Sequence, residues 1–101
     1  MVTNVKATRL LCYNAGFLRD QSSPNAFIQT SLAKYFASRV AVDAASEAVQ
    51  IQGAAGCHED SNVQRYFRDA KIMEIIEGSS EIQQIMLSDN AVANLDSILE
   101  C

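Results

Sequence analysis

One glutamate in this chain has the surroundings that general-base chemistry requires. Glu77 stands between Gly78 and a largely apolar run, residues 72–76. A carboxylate with apolar neighbours is poorly solvated, and poor solvation makes it a stronger base near neutral pH. Gly78 has no Cβ, so a ligand can approach the backbone there, although a hinge glycine has the same signature. The alternative for Glu77 is a solvated residue at a helix end, and the residue types leave both interpretations open.

Helical periodicity indicates which elements hold this glutamate. Apolar residues recur every three or four positions, as on one face of a helix, and no strand-like alternation interrupts them. Breaks fall at residues 20–24, 53–56 and 77–78. The pattern predicts one all-α domain, an antiparallel bundle of about four helices. The expected bounds are Thr3–Arg19, Asn25–Gln52, Asn62–Ile76 and a last helix from Ser80 onward.

The same spacing separates inner from outer positions on each helix. The inner stripe of the first helix is Ala7, Leu10, Leu11, Asn14, Ala15 and Leu18. That of the second is Ile28, Leu32, Tyr35, Val42, Ala45 and Val49, with Lys34, Arg39, Asp43 and Glu47 outward. The inner positions of the third are Val63, Phe67, Ala70 and Met73. Many alanines on the second helix predict close approach of another helix, in this chain or in a second subunit.

Local signals mark the ends of the helices. Pro24 is suited to the first turn of the second helix, because a proline there loses no helical hydrogen bond, and Gly53 is suited to its end. Ser80 and Gln83 have the spacing of a capping box, which predicts that the last helix starts at Ser80. The tail from Asn94 is expected to fray.

Composition limits the classes of function. A chain of 101 residues, 49% of them hydrophobic, can form one small helical core. A net charge of −4 and scattered Lys and Arg argue against a nucleic-acid partner. Neither a membrane span nor a secretory signal is recognisable, so we expect a soluble protein. Cys12, Cys57 and Cys101 are far apart, with only His58 as a further ligand, which supports neither a disulfide framework nor a metal site and fits a reducing compartment.

Three motifs in order along the chain carry a family resemblance. They are QIQGAAG at residues 50–56, RDAKI at residues 68–72 and EGSSEIQ at residues 77–83. Together they resemble the C-terminal helical domain of the acyl-CoA dehydrogenase family, from Arg9 to Ser88. A complete family member is several times longer and also has an N-terminal helical domain and a middle β domain. We therefore expect a fragment, a truncated product or a detached module.

The resemblance implies a reaction and its base. In the family, the glutamate that Glu77 matches removes the α-proton of an acyl thioester while the β-hydrogen leaves as hydride to the flavin N5. The match further implies that the backbone N–H of Glu77 stabilises the developing enolate oxygen and that Gly78 lies against the substrate. A minority of the family keeps the base on another helix and has a non-acidic residue here, and Glu77 does not follow that minority.

The resemblance also implies FAD, held by two segments. The first touches the flavin or its ribityl and phosphate groups from a helix start, where free N–H groups favour anions, although N-capping explains the same residues. It is formed by Ser79, Ser80 and Glu81. The second contacts the adenosine diphosphate half of FAD in a neighbouring subunit, where backbone amides and a glutamine suit a pyrophosphate and an adenine edge. It is formed by Gln50, Ile51, Gln52, Gly53 and Ala54.

Some positions depart from the family pattern. Ala54 replaces a glycine, which narrows the approach to the backbone, and Gln84 replaces an arginine, which argues against an anionic or carbonyl contact there. Arg68 and Asp69 retain a family pair that we interpret as structural. The other departures are Cys57, Asn62 and Ile76, where aromatic, proline and tyrosine residues are usual.

Two functions compete on this sequence. The leading hypothesis is the C-terminal part of an FAD-dependent acyl-CoA dehydrogenase that performs α,β-dehydrogenation, with a homo-oligomer or the rest of a longer chain as partner. The alternative is a non-catalytic helical module for self-association. An acyl-CoA oxidase or a dehydrogenase of carrier-protein thioesters remains open within the family. A cytoplasmic location is expected, or the mitochondrial matrix in a eukaryote.

Overall fold

The computed structural model describes residues 1–95, and residues 96–101 lie outside the described part. Residues 1–95 are mainly helical and contain no strand, so the all-α prediction is confirmed. The helices are α1 Val2–Asp20, α2 Ala26–Gln52, α3 Asn62–Met73 and α4 Ser80–Ala93, and a 3₁₀ segment, Gly53–Cys57, follows α2. Of the tail that is expected to fray, only Asn94 and Leu95 are described.

The central element is α2, because α1, α3, α4 and the 3₁₀ segment all pack against it. Its 27 residues span roughly 40 Å at the α-helical rise. The described chain measures 50 × 23 × 23 Å with a radius of gyration of 16.3 Å, whereas a compact domain of this length has about 13 Å. The shorter helices therefore lie along one long axis, and each covers only part of it.

Small and polar side chains occupy the most buried positions of residues 1–95. These positions are Ala15, Ser31, Ala33, Ser38 and Gln83. Ala15 of α1 and Ala33 of α2 are both buried where these two helices pack, as expected of small residues that allow a close neighbour. Large apolar side chains remain exposed on every helix, among them Leu10, Phe17, Phe27, Tyr66, Ile82 and Val92. Such apolar surface is stabilised when another protein surface covers it.

Several predicted inner and outer positions are wrong. Leu10 is 70% exposed, and the exposed Asn14 donates from Nδ2 to Gln29 Oε1 at 3.3 Å. The reason is that α1 packs only on α2, so a single narrow stripe through Ala7, Leu11, Ala15 and Leu18 is covered. On α3, Phe67 and Met73 are exposed. Lys34 is half-buried rather than outward, because its ammonium reaches a backbone carbonyl across the bundle.

The bounds of α1 and α2 agree with the predicted ones to within one residue, whereas the predicted place of Pro24 and the predicted end of the third helix are wrong. Pro24 precedes the N-cap residue Asn25 and does not lie in the first turn. Gly53 ends α2 with a φ of +63°, as predicted. The predicted third helix runs to Ile76, whereas α3 ends at Met73.

Candidate functional site

The turn between α3 and α4 holds Glu77 in a strained conformation. After α3 the N–H groups of Ile75 and Ile76 both donate to Ile72 O at 3.0 Å. The backbone then turns left-handed, with φ of +54° at Glu77 and +88° at Gly78. A non-glycine residue in this region costs roughly 1–3 kcal/mol and is found mainly where surrounding contacts enforce it. This change of backbone hand explains why the helix cannot continue to Glu77.

Contacts from α2 and α4 enforce the turn. The N–H of Ser80 donates to Glu74 O at 2.9 Å, which closes the loop. Lys34 donates from Nζ to Gly78 O at 2.7 Å, across 44 positions of sequence. A Cβ built on Gly78 stands 2.5 Å from Gln83 Nε2, and Gln83 is only 7% exposed. A Cβ at Gly78 would therefore displace the buried Gln83 side chain, in addition to the backbone strain at its positive φ.

Glu77 lies at the rim of an open groove between α2 and the turn. The groove has a volume of about 390 Å³ and is lined by Lys34, Ala37, Ser38, Ala41, Met73, Ile76 and Glu77. Residues 1–95 offer the Glu77 carboxylate no hydrogen bond or ion pair. Its side chain is exposed, as are those of Ile75 and Ile76. The expectation of a poorly solvated Glu77 is therefore wrong for this chain by itself, because its apolar neighbours do not cover it.

The start of α4 satisfies its own amide groups. The helix starts at Ser80, as predicted, but Ser79 is the N-cap and accepts from the N–H of Ile82 at 3.5 Å. The predicted capping box of Ser80 and Gln83 is therefore wrong, because the third residue after the cap is Ile82, whose side chain cannot accept a hydrogen bond. The pKa of Glu81 is lowered by its own backbone N–H and by the Ser79 hydroxyl. The carboxylate of Glu81 thus takes a place that an anionic ligand would need. Ser80 Oγ is buried and has no partner within residues 1–95.

A polar pocket that sequence reasoning missed lies beside the turn. Gln84 Nε2 donates to Tyr35 Oη at 2.8 Å and Arg39 Nη1 donates to the same oxygen at 2.6 Å. Both hydrogen bonds lower the pKa of Tyr35, and the hydrogen bond from Gln84 has the larger effect. The pocket, of about 260 Å³, is also lined by Lys71 and Glu74, which form an ion pair. No motif signals it, because Tyr35 and Gln84 are 49 positions apart.

The segment from Gln50 to Ala54 lies far from Glu77. Lys34 is beside the turn and Gln50 is near the end of the same helix, which places them roughly 24 Å apart at the α-helical rise. Gln50, Ile51, Gln52, Gly53 and Ala54 are all exposed. Gln52 Oε1 accepts from the Ser61 hydroxyl at 3.2 Å, and Ser61 also caps α3. Within one chain, Glu77, Gly78 and residues 79–81 therefore lie together at the turn, whereas residues 50–54 lie at the far end of α2.

Other candidate groups do not form sites in the described chain. Arg68 and Asp69 are both exposed and form no ion pair within residues 1–95. Cys12 and Cys57 are free and exposed. No cluster of three His, Cys, Asp or Glu residues suited to a metal ion occurs in residues 1–95. The helices of this range are also too short or too polar to cross a membrane.

Comparison with known proteins points to one family. A family model described as the C-terminal domain of acyl-CoA dehydrogenase matches residues 1–92. The chain is 44% identical over 88 residues to an acyl-CoA dehydrogenase of Bacillus subtilis, which covers 87% of this chain and 23% of that protein. It is 38% identical over 90 residues to a 3-(aryl)acrylate reductase of Clostridium sporogenes, which covers 89% of this chain and 24% of the relative. The chain thus spans less than a quarter of these curated relatives.

The fold is similar to that of a solved structure. Butyryl-CoA dehydrogenase from Megasphaera elsdenii superimposes with a TM-score of 0.85 at 36% sequence identity. The match covers 91% of this chain and 24% of that protein. Sequence and fold therefore agree on the same region of the same family.

Proposed function

This chain belongs to the acyl-CoA dehydrogenase family, and we propose that, as its C-terminal domain, it supplies the catalytic base and one edge of the FAD site to a longer dehydrogenase. The observation that carries the proposal is the left-handed backbone of Glu77 at the rim of the groove. Backbone strain of this kind clusters at functional sites and persists where surrounding contacts enforce it. It holds a carboxylate that has no hydrogen bond or ion pair within residues 1–95 against space that a ligand can fill.

Glu77 acts as the general base for α,β-dehydrogenation of an acyl thioester. Its carboxylate takes the α-proton, and the electron pair of that C–H bond forms the Cα=Cβ double bond. The β-hydrogen leaves with its own electron pair as hydride. When bound, FAD would supply the acceptor for that hydride, so that the two electrons lost by the thioester would pass to the flavin. The backbone N–H of Glu77 stabilises the thioester oxygen while it carries enolate charge.

The groove suits the acyl part of such a substrate. Its volume of about 390 Å³ is within the range of small-molecule sites, roughly 300–1,000 Å³. Ala37 and Ala41 on α2 leave space along one wall, and Met73 and Ile76 supply an apolar opposite wall. The substrate class that follows is a thioester with an apolar acyl group, with coenzyme A as the proposed carrier.

Catalysis by this base requires a surface that residues 1–95 do not supply. Glu77 is exposed here, and an exposed carboxylate is a weak base for an α-proton. The exposed apolar side chains of the turn offer area for a covering domain. We therefore assign activity to a longer chain, and none to residues 1–101 alone.

The residues at the start of α4 and at the end of α2 suit contacts with an edge of FAD. The start of α4 does not suit a phosphate group. Glu81 already fills the start of α4, and its charge repels a phosphate there. The Ser80 hydroxyl has no hydrogen-bond partner within residues 1–95, but its oxygen is buried, so a polar flavin or ribityl atom reaches it only if the start of α4 shifts. At the other end, the exposed Gln50 has no side-chain partner within residues 1–95 and is available to an adenine edge. The distance between these ends favours contacts to two FAD molecules in an oligomer rather than one.

A non-catalytic self-association module is the second candidate function. The observation that favours it is the apolar surface left exposed on all helices of the described chain. Both functions require a partner surface, and they differ in whether Glu77 is needed. An acyl-CoA oxidase and a dehydrogenase of carrier-protein thioesters share the Glu77 chemistry and remain within the first proposal.

Substitution of Glu77 tests the proposal. In a full-length dehydrogenase whose C-terminal segment is this chain, Glu77→Gln retains size and removes the base. We expect reduction of bound flavin by acyl-CoA, followed by stopped-flow absorbance, to slow by roughly 10²–10⁴-fold, the usual contribution of a general base. Glu77→Asp should retain partial activity, because its carboxylate is displaced by about 1 Å.

The matched control is Glu47→Gln, which removes an exposed carboxylate from α2. Its flavin should be reduced at the unsubstituted rate, and binding of a non-reacting acyl-CoA analogue should be unchanged in all variants. Unsubstituted flavin reduction by Glu77→Gln would contradict the proposal and favour the self-association module.

A further inference from the structure

Lys34 is the one residue from α2 that hydrogen-bonds the catalytic turn within residues 1–95. Its Nζ donates to Gly78 O at 2.7 Å. Within the same range its ammonium forms no ion pair, so the partner of this half-buried charge is a neutral carbonyl. Taking an ammonium partly out of water is unfavourable unless a hydrogen bond compensates, and the stem of Lys34 also lines the groove. The arrangement links the groove wall on α2 to the turn that holds Glu77.

The hydrogen bond acts on the peptide that follows Gly78. Gly78 O belongs to the peptide between Gly78 and Ser79, and a glycine at φ +88° has wide freedom to let that peptide rotate. The other contacts of the turn, from Ser80 N to Glu74 O and from Gln83 to Gly78, lie within the turn or on α4. They do not connect the turn to α2. Among these contacts, only the hydrogen bond from Lys34 fixes the Gly78–Ser79 peptide relative to the groove wall formed by α2.

We propose that Lys34 is a positioning residue for proton abstraction by Glu77. By holding the carbonyl of Gly78, Lys34 fixes the left-handed backbone of Glu77 and Gly78. It thereby fixes the position of the Glu77 carboxylate and N–H relative to the groove. The inference rests on the proposed function of Glu77 and adds to it a residue 43 positions earlier in the sequence. General-base catalysis is sensitive to displacements of about 1 Å, so loss of this restraint slows chemistry more than it weakens binding.

Three substitutions of Lys34 in the flavin-loaded, full-length enzyme test the inference. Lys34→Met keeps the apolar stem and removes the donor, Lys34→Arg retains a donor, and Lys34→Ala leaves space for an added amine. We expect Lys34→Met to lower the rate of flavin reduction at saturating acyl-CoA by roughly 10–100-fold. Binding of a non-reacting analogue should change less than about threefold. Lys34→Arg should recover most of the rate.

Chemical rescue separates positioning from simple stability. Added ethylamine or propylamine should raise the rate of Lys34→Ala and leave Glu77→Gln unchanged, because only the former lacks a cation donor. An α-deuterated substrate should show a larger isotope effect in Lys34→Met, since proton abstraction then limits the rate. The matched control is Lys6→Met on the exposed part of α1, which should behave as the unsubstituted enzyme.

The outcomes distinguish this inference from the function on which it rests. If Glu77→Gln is inactive but Lys34→Met reduces its bound flavin at the unsubstituted rate, Lys34 has no positioning role. A lower melting temperature with an unchanged rate for each bound flavin has the same meaning, because it shows only a structural contact. If Glu77→Gln itself is fully active, the proposed function fails first.

Discussion

Replacement of Gly78 by alanine tests whether the turn is held as the structure shows. Gly78 has a φ of +88°, and a Cβ added there stands 2.5 Å from Gln83 Nε2. Gly78→Ala therefore meets two separate obstacles, one in the backbone and one in a buried side chain. Gly16→Ala is the matched control, because a Cβ at that helical glycine of α1 meets no atom within 4 Å.

The magnitude follows from these two obstacles. An L-residue in the left-handed region costs roughly 1–2 kcal/mol. Displacement of the Gln83 side chain from its rotamer adds about 0.5–1.5 kcal/mol, and the reduced entropy of the unfolded chain returns about 0.4–1 kcal/mol. We expect the free energy of unfolding to fall by roughly 0.5–3 kcal/mol for Gly78→Ala. For Gly16→Ala it should rise by about 0.5–1 kcal/mol.

Urea unfolding followed by far-UV circular dichroism measures both values. All variants are compared at one protein concentration, because association changes apparent stability. The double variant Gly78→Ala with Gln83→Ala separates the two terms. If the steric contact is real, the cost of Gly78→Ala should be smaller by about 0.5–1.5 kcal/mol in the Gln83→Ala background.

A stabilising or neutral Gly78→Ala would refute the reasoning. It would mean that the turn adopts a right-handed or extended backbone at this position in solution. An equal cost in both backgrounds would leave the φ argument standing and remove the contact with Gln83.

Two other predictions concern the polar pocket and the exposed apolar surface. Gln84→Met removes the hydrogen bond that contributes most to the lowered pKa of Tyr35. The pKa of Tyr35 should therefore return toward its ordinary value, as measured by ultraviolet titration with Tyr35→Phe as the reference. An unchanged titration would show that Gln84 does not lower this pKa. Because the pKa of Tyr35 is lowered on folding, ionisation of Tyr35 stabilises the folded state increasingly as the pH rises from the folded-state pKa toward 10.0. This stabilisation is lost as the pH falls through the folded-state pKa. The purified chain should self-associate at micromolar concentration because its apolar side chains are exposed on all described helices. Sedimentation that shows a stable monomer would contradict this last expectation.

Much of the fold could be predicted from sequence because its signals are local. Helix formation depends on neighbours three or four positions apart, so periodicity predicts α1 and α2 to within one residue of their ends. Gly53 marks the end of α2 for the same reason, since its backbone freedom is a property of the residue itself. The inner faces are less accurate, because Leu10 is apolar and in register but has no neighbouring helix to cover it.

The candidate base was found by its sequence motif, whereas its surroundings were not. Glu77 and Gly78 are adjacent, so their residue types and the family motif suffice to select them. The solvation of Glu77 was predicted wrongly, since apolar neighbours in sequence do not cover a side chain unless other elements pack over it. The N-cap of α4 was misplaced by one residue, because Ser79 and Ser80 are chemically equivalent until the backbone angles are known.

Sequence by itself determined the number and order of the helices and selected Glu77 as the candidate base. Tertiary structure alone decided what surrounds that residue: the left-handed turn, the hydrogen bond from Lys34 to Gly78 across 44 positions and that from Gln84 to Tyr35 across 49. The physical reason is the range of the forces involved. Helical hydrogen bonds close between near neighbours and leave a periodic signal in the sequence. Contacts between helices depend on how α2 packs against α3 and α4, which no local pattern records.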